Sequence, residues 1–424
     1  MDTIYAVSSG APPAAIAVLR LSGQGSFAAV RALAGDLPAP RRAALRALKH
    51  DGELLDRALV LVFPGPDSAT GEDVAELHLH GGRAVVRAVE AALASLPGLR
   101  PAEPGEFTRR ALEHGRIDLS EAEGLGDLLM AETEAQRRAA IRAAEGAVRR
   151  EVEGWTARML GLAAQAEALL DHSDEDDVAD ADSVPALRSA AAGLALEIDA
   201  VVVRPPVERL RDGVRVVLAG PPNAGKSTLL NALAERDAAI VSPIAGTTRD
   251  RIEAPIVRDG IAWLLIDTAG LADAPGDAVE AIGIARAREA LAGADLTLWL
   301  GDDAPPKGAL HVHARADEAG RGAGPEGSVA VSAATGAGVD SLWARLASAA
   351  RLLLPPPDQL ALNQRQRILC ASAALSLHAA AGETDLLLFA EHLRSARRAF
   401  DAVTGRADVE AMLDTLFARF CIGK

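Results

Sequence analysis

Eight residues, Gly220-Pro221-Pro222-Asn223-Ala224-Gly225-Lys226-Ser227, carry the G-x-x-x-x-G-K-S spacing that folds a backbone around phosphate oxygens. Glycines let the chain bend until its amides point inward, and a following helix adds the positive end of its dipole. Lys226 can reach the β- and γ-phosphates, and the Ser227 hydroxyl can ligate Mg²⁺. Asn223, Ala224, Gly225 and Thr228 supply the rest of the cradle. A chance match to this spacing in a chain of this length is roughly one in fifty, and the strand-then-helix context lowers it further. The bland alternative, a glycine-rich turn, is therefore disfavoured.

Companions follow in order. Asp267-Thr268-Ala269-Gly270 offers a carboxylate for the magnesium shell and, at Gly270, an amide that can sense a γ-phosphate. Between the two motifs lies Gly246-Thr247-Thr248-Arg249-Asp250. Its Thr248 can bind Mg²⁺ while the γ-phosphate is present and let go after hydrolysis. Nucleoside-triphosphate hydrolysis is the expected chemistry, with Lys226, Thr248 and Asp267 at its centre. The base motif is degenerate. Where N-K-x-D is usual, the chain has Ala314-Arg315-Ala316-Asp317. Asp317 can still accept from guanine N1 and N2, and Arg315 can cover the ring face, so guanine remains the expected base. Ser332 and Ala333 suit a base-contacting loop. Leu271 stands where a water-orienting glutamine is common, so another group must do that work or hydrolysis is slow.

These groups need a scaffold. Arg215-Val216-Val217-Leu218-Ala219 reads as the strand that delivers the phosphate loop, and Thr228 to Leu233 continues as a helix. Ile261 to Ile266 reads as the strand that delivers Asp267. From 213 to 354 strands alternate with helices, as in a doubly wound α/β domain. Residues 119–212 and 355–424 are Ala-, Leu- and Arg-rich and helical in pattern, so one helical domain in two chain segments is expected, with the α/β domain inserted. The acidic run Asp171 to Asp177 reads as a loop between helices. Residues 1–118 read as mixed α+β, with strands at Ala15–Leu21, Ala58–Phe63 and Ala75–His80.

Composition narrows the class. The chain has 424 residues, 49% apolar and 3% aromatic, enough for several helical and mixed cores. A formal charge of −15 argues against a basic protein that coats nucleic acid, though a local basic patch remains compatible with RNA. Two cysteines, Cys370 and Cys421, indicate no disulfide framework. No signal peptide or long apolar span is visible, so a cytoplasmic protein without membrane attachment is expected. His78 and His80 share a strand face, but no cysteine or histidine cluster accompanies them, so a zinc site is not expected. Cys421 mimics a prenylation box; Lys424 is a poor last residue for one, and a buried thiol is expected instead.

Taken in order, several segments resemble the MnmE (TrmE) family of bacterial tRNA-modification GTPases over essentially the whole chain. They are Val18 to Gly23, Phe63 to Asp73, His80-Gly81-Gly82, Pro104 to Phe107, Pro222 to Ser227, Ile244 to Asp250, Asp267 to Leu271 and the terminal Cys421-Ile422-Gly423-Lys424. The resemblance implies three parts: an N-terminal folate-binding and dimerisation domain (1–118), a discontinuous helical domain and an inserted Ras-like P-loop G domain. It implies a homodimer whose G domains activate each other with K⁺ in place of an arginine finger. Asn223 would ligate K⁺, with backbone carbonyls of Ser242, Ile244 and Thr247, and Glu280 would orient the water. It places 5-formyltetrahydrofolate or a related folate against Arg20, Glu76, Arg116 and Lys424. It implies work with the FAD-dependent partner MnmG (GidA), in a heterotetramer-type complex. Together they would add an aminomethyl-type group, commonly carboxymethylaminomethyl, at C5 of the tRNA wobble uridine.

Two other classes compete. A ribosome-assembly GTPase switch would carry an RNA-binding module in place of the folate-like residues. A folate-binding scaffold with a decaying G domain draws support only from Ala314.

Overall fold

The computed structural model describes residues 2–171, 183–237, 253–268, 289–406, 410–418, 420, 422 and 423. By contacts the chain divides into two compact units: Met1–Gly126 with Ala143–Val152 and Asp401–Lys424, and Asp127–Arg142 with Glu153–Phe400. Among the described residues no helix is long and apolar enough to cross a membrane.

The first unit is built on a six-stranded sheet. Its strands are β1 (Thr3–Val7), β2 (Ile16–Ser22), β3 (Ala44–His50), β4 (Glu53–Phe63), β5 (Val74–His80) and β6 (Leu99–Pro101), in the order β3-β4-β5-β2-β1-β6. All neighbours are antiparallel except β1 and β6. Alternation sets the faces: Leu77 and Leu79 of β5 point into the core, while Glu76, His78 and His80 point away. Leu19, Leu21, Val60 and Val62 join the same core under the helices Ser26–Ala34 and Arg83–Ala94. The register sets Arg20 opposite Glu76, which brings two residues distant in sequence to one point on the other face.

The second unit holds the other sheet. Its strands are β7 (Val214–Ala219), β8 (Glu253–Arg258), β9 (Ile261–Asp267), β10 (Leu296–Trp299), β11 (Leu310–Ala314) and β12 (Val329–Val331), in the order β12-β11-β10-β7-β9-β8. Every pairing is parallel except β8 with β9. The central strands are nearly continuous runs of Val, Leu and Ile, as strands covered on both faces must be. The helix Val339–Leu353 seals the sheet with Leu342, Trp343 and Leu346. Two helices that flank this sheet in sequence, Ser183–Val202 and Gln364–Gly382, pack against each other. A capping box starts the second one: Asn363 accepts from the Gln366 amide at 2.8 Å, and Gln366 accepts from the Asn363 amide at 3.1 Å. The fold is thus the mixed α+β part, helical part and P-loop α/β part that the sequence implies.

Candidate functional site

The phosphate loop leaves the C-terminal end of β7, the place where open α/β sheets bind ligands. Gly220 takes φ +145°, and a Cβ there would lie 3.2 Å from the backbone nitrogens of Leu300 and Gly301. Asn223 is left-handed at φ +59°, a conformation asparagine tolerates, and Gly225 follows at φ +92°. The helix Lys226–Asp237 begins at once, so its first amides face the loop. Lys226 is 6% exposed. Its Nζ donates to the carbonyls of Gly220 (3.0 Å) and Pro221 (2.9 Å), so the loop curls around its own ammonium. Ser227 and Thr228 stay open to solvent. Asp267 ends β9 beside Leu218 of β7 and is 4% exposed. The next residue is pinned as well: Thr268 Oγ1 donates to the Leu218 carbonyl at 2.7 Å. Asp267, buried at the end of β9, and Ser227, exposed in the first turn of the helix, each carry an oxygen donor of the kind that suits a hard divalent cation.

On the other side of Gly225 lies a cavity of about 270 Å³, walled by Thr228, Ala314, Arg315, Asp317 and Ala333 among others. Arg315, at φ +57°, lies across it: its Nε is 3.5 Å from the Cβ position of Gly225 and 3.6 Å from Glu318. The arginine thus spans from the base loop to the phosphate loop. Ala314 contributes a buried methyl group and no side-chain hydrogen bond. Ser332 is buried and serves the loop's own turn, accepting from the Thr335 amide at 3.0 Å, which leaves Ala333 and Ala334 to face the cavity. Ala316 N donates to Val331 O at 3.1 Å and ties the two base-side loops together.

In the first unit, Arg20 forks onto one oxygen of Glu76, at 2.8 Å from Nη2 and 3.1 Å from Nε. His78 Nε2 sits 3.2 Å from the other oxygen. Burial pushes the Glu76 carboxyl up, but the bonds from Arg20 and His78 outweigh it and hold the group below the usual glutamate range. The Arg20 guanidinium also lies 5.9 Å from the Phe107 ring centroid. Arg116 is far more open, with Asp67 at 3.8 Å as a weak partner. A cation, a carboxylate and an aromatic edge on one sheet face can meet a ring bearing amide and amino donors together with a carboxylate tail.

Sequence reasoning weighed His78 only as a zinc ligand and missed its bond to Glu76, although the i+2 spacing on a strand was the available signal. It also passed over Arg110, whose side chain is 5% exposed and bonds Glu72, Glu106 and Asp2, each at 3.0 Å. Ser22 and Thr70 join the same cluster at 2.6 Å, and Ser22 Oγ donates to Glu72 at 2.7 Å. His80 is spent on Asp56 at 2.7 Å. Ser242, Ile244, Gly246, Thr247, Thr248, Ala269, Gly270, Glu280, Cys421 and Lys424 lie outside the described residues.

Residues 3–116 match the family model described as GTP-binding protein TrmE N-terminus, and residues 119–421 match that of the MnmE helical domain. A protein of Rhizorhabdus wittichii named tRNA modification GTPase MnmE is 59% identical, covering 100% of this chain and 97% of its own length. Its namesake in Erythrobacter litoralis is 56% identical over 100% of both chains. That of Novosphingobium aromaticivorans is 54% identical, again over 100% of both.

Proposed function

We infer, from the premise that this chain belongs to the MnmE family of tRNA-modification GTPases, that it hydrolyses GTP at the Gly220–Ser227 loop as part of that modification. One observation carries the reading at the level of residues. The lysine-filled phosphate loop shares Gly225 with the wall of a cavity that presents Asp317, and Arg315 on that wall comes within 3.5 Å of the Cβ position of Gly225.

The residues divide the work by chemistry. Lys226 would exchange its two carbonyl partners for phosphate oxygens, which are better acceptors for an ammonium. Asp317 would accept from guanine N1 and N2, while the Arg315 side chain shields the ring from water. Ser227, Asp267 and Thr248 would hold Mg²⁺, which offsets phosphate charge when bound. Asn223, exposed at the lip of the loop, fits a monovalent cation through its amide oxygen, with Ser242, Ile244 and Thr247 as further ligands. Glu280 would hold the attacking water. On the sheet of the first unit, Arg20, Glu76 and Arg116, with Lys424, would take a folate such as 5-formyltetrahydrofolate.

The wider proposal is that this chain works in the cytoplasm as a homodimer, with MnmG as its partner. The product would carry a carboxymethylaminomethyl-type group at C5 of the wobble uridine. The domain division proposed with it is 1–118, 119–212 joined with 355–424, and 213–354. Steady-state hydrolysis by the full chain tests the core of this reading. GTP should turn over, ATP should not, and K⁺ should support the reaction better than Na⁺. Equal rates in both salts would sink the potassium role; no GTP turnover in either would sink the hydrolase.

A further inference from the structure

The loop that presents Asp317 is closed by a side chain outside any motif. Ala314 ends β11 with a methyl group that can hold nothing, yet its carbonyl is held: Arg321 Nε donates to it at 3.1 Å. The two terminal nitrogens of Arg321 then fork onto Asp302, each at 2.8 Å. Between these ends the backbone makes two successive turns, Glu318 N to Arg315 O at 3.0 Å and Arg321 N to Glu318 O at 3.1 Å. Asp317 sits inside the first. The other end of the clamp reaches the phosphate side. Asp302 follows Leu300 and Gly301, whose backbone nitrogens lie 3.2 Å from where a Cβ on Gly220 would stand, and Leu300 N donates to Ala219 O at 2.8 Å. His311 fixes the same stretch through its ring, 2.8 Å from the Gly301 carbonyl.

A surface ion pair would be the plain reading. Asp302 is 64% exposed, so the pair itself contributes little to stability. What sets it apart is the third bond, made where the chain leaves the strand and begins the base loop. A planar fork with three bonds to two segments fixes a direction as well as a distance.

We propose that Arg321, oriented by Asp302, is a positioning residue for guanine recognition: it ties the start of the base loop to the segment that borders the phosphate loop and so aims Asp317 at the base. The inference rests on the cavity beside Arg315 taking guanine. Arg321 itself does not line that cavity. Misaiming Asp317 therefore costs most for a base that offers it two donors. Guanine offers N1–H and the 2-amino group, whereas hypoxanthine offers N1–H alone.

The test is calorimetric titration of the full chain with GDP, IDP and ADP, in the wild type and in Arg321→Ala, Arg321→Lys and Asp302→Asn. In Arg321→Ala, GDP affinity should fall about tenfold and IDP affinity clearly less, so the GDP/IDP preference shrinks, with little change in melting temperature. Arg321→Lys keeps a cation for Asp302 but has no fork, and should restore only part of the preference. Should Arg321→Ala fail to fold, Arg321→Lys and Asp302→Asn decide by the same ratio, which should fall in both. A GDP/IDP ratio equal to wild type in the folded variants overturns the positioning role, whatever the loss of overall affinity. A wild-type chain that binds ADP as well as GDP overturns the guanine reading itself, and the positioning role with it.

Discussion

Replacing Asp317 by Asn should invert base preference. The carboxylate stands on the wall of the cavity beside Gly225, and Arg315 lines the same cavity. Guanine would give it two charge-assisted hydrogen bonds, each about 1.5–3 kcal/mol. Asp317 is exposed, so the lower end applies. Two bonds then total about 3 kcal/mol, or about 150-fold in affinity. An amide in its place has one acceptor where guanine needs two, and its NH₂ meets the 2-amino group donor to donor. Xanthine carries a carbonyl at that position, so the amide can donate to it. Isothermal titration with GDP and XDP should show Asp317→Asn losing about 100-fold for GDP and gaining for XDP. Asp317→Ala should lose GDP without gaining XDP. GDP binding within about threefold of wild type in Asp317→Asn would refute the assignment. A matching loss in Glu318→Gln would then move the base contact to Glu318, which lines the same cavity but faces Arg315 at 3.6 Å.

Arg110→Met should cost about 2–3 kcal/mol in urea unfolding, because the half-buried Glu72 loses its arginine and keeps the Ser22 hydroxyl, while Glu106 keeps its fork from Arg100; a cost under about 1 kcal/mol would mean water already serves Glu72. Acid should weaken the first unit. Glu76 and Glu106 are both held below the ordinary value of 4.5: burial raises each, and arginine hydrogen bonds more than offset it. Groups depressed on folding contribute stability that is fully present above the unfolded value and is lost as pH falls through the folded one. Asp118 is raised by burial and works the other way, so unfolding followed by circular dichroism should show a net fall only below about pH 4.5. Burial pushes the Cys370 thiol up to about 12, so iodoacetamide should leave it unlabelled at neutral pH until the chain unfolds, as peptide mass spectrometry would show.

The legible parts of the molecule were those set by local chemistry. The phosphate loop declared itself because two glycines, a lysine and a serine must keep fixed spacing to bend around phosphate, and β7 and the helix Lys226–Asp237 flank it as required. β5 was readable because one face is apolar and the other polar. β3 was not: Ala-Leu-Arg-Ala-Leu-Lys are helix formers, and only pairing with β4 makes them a strand. Long-range partners were equally hidden. Arg321 meets Asp302 across 19 positions and Arg110 meets Asp2 across 108, distances over which no periodicity carries information. Ser332 illustrates a subtler limit. Its type suits a contact with the base, yet the sharp turn through Gly336 claims its side chain and leaves the cavity wall to alanines. Glu76 and Arg20 were singled out together only through the family resemblance; that Arg20 and His78 already hold both oxygens of Glu76 was not legible.

The most direct test joins the loop to the RNA. Bulk tRNA from a strain lacking this gene, and from the same strain carrying the wild type or Lys226→Ala, is digested and its nucleosides analysed by mass spectrometry. Carboxymethylaminomethyl-type uridines should vanish in the deletion and return with the wild type. They should stay absent with Lys226→Ala, whose loop lacks the ammonium that now bridges Gly220 and Pro221. Wild-type levels of these nucleosides in the deletion strain, or full restoration by Lys226→Ala, would contradict a tRNA modification driven by GTP hydrolysis at this loop.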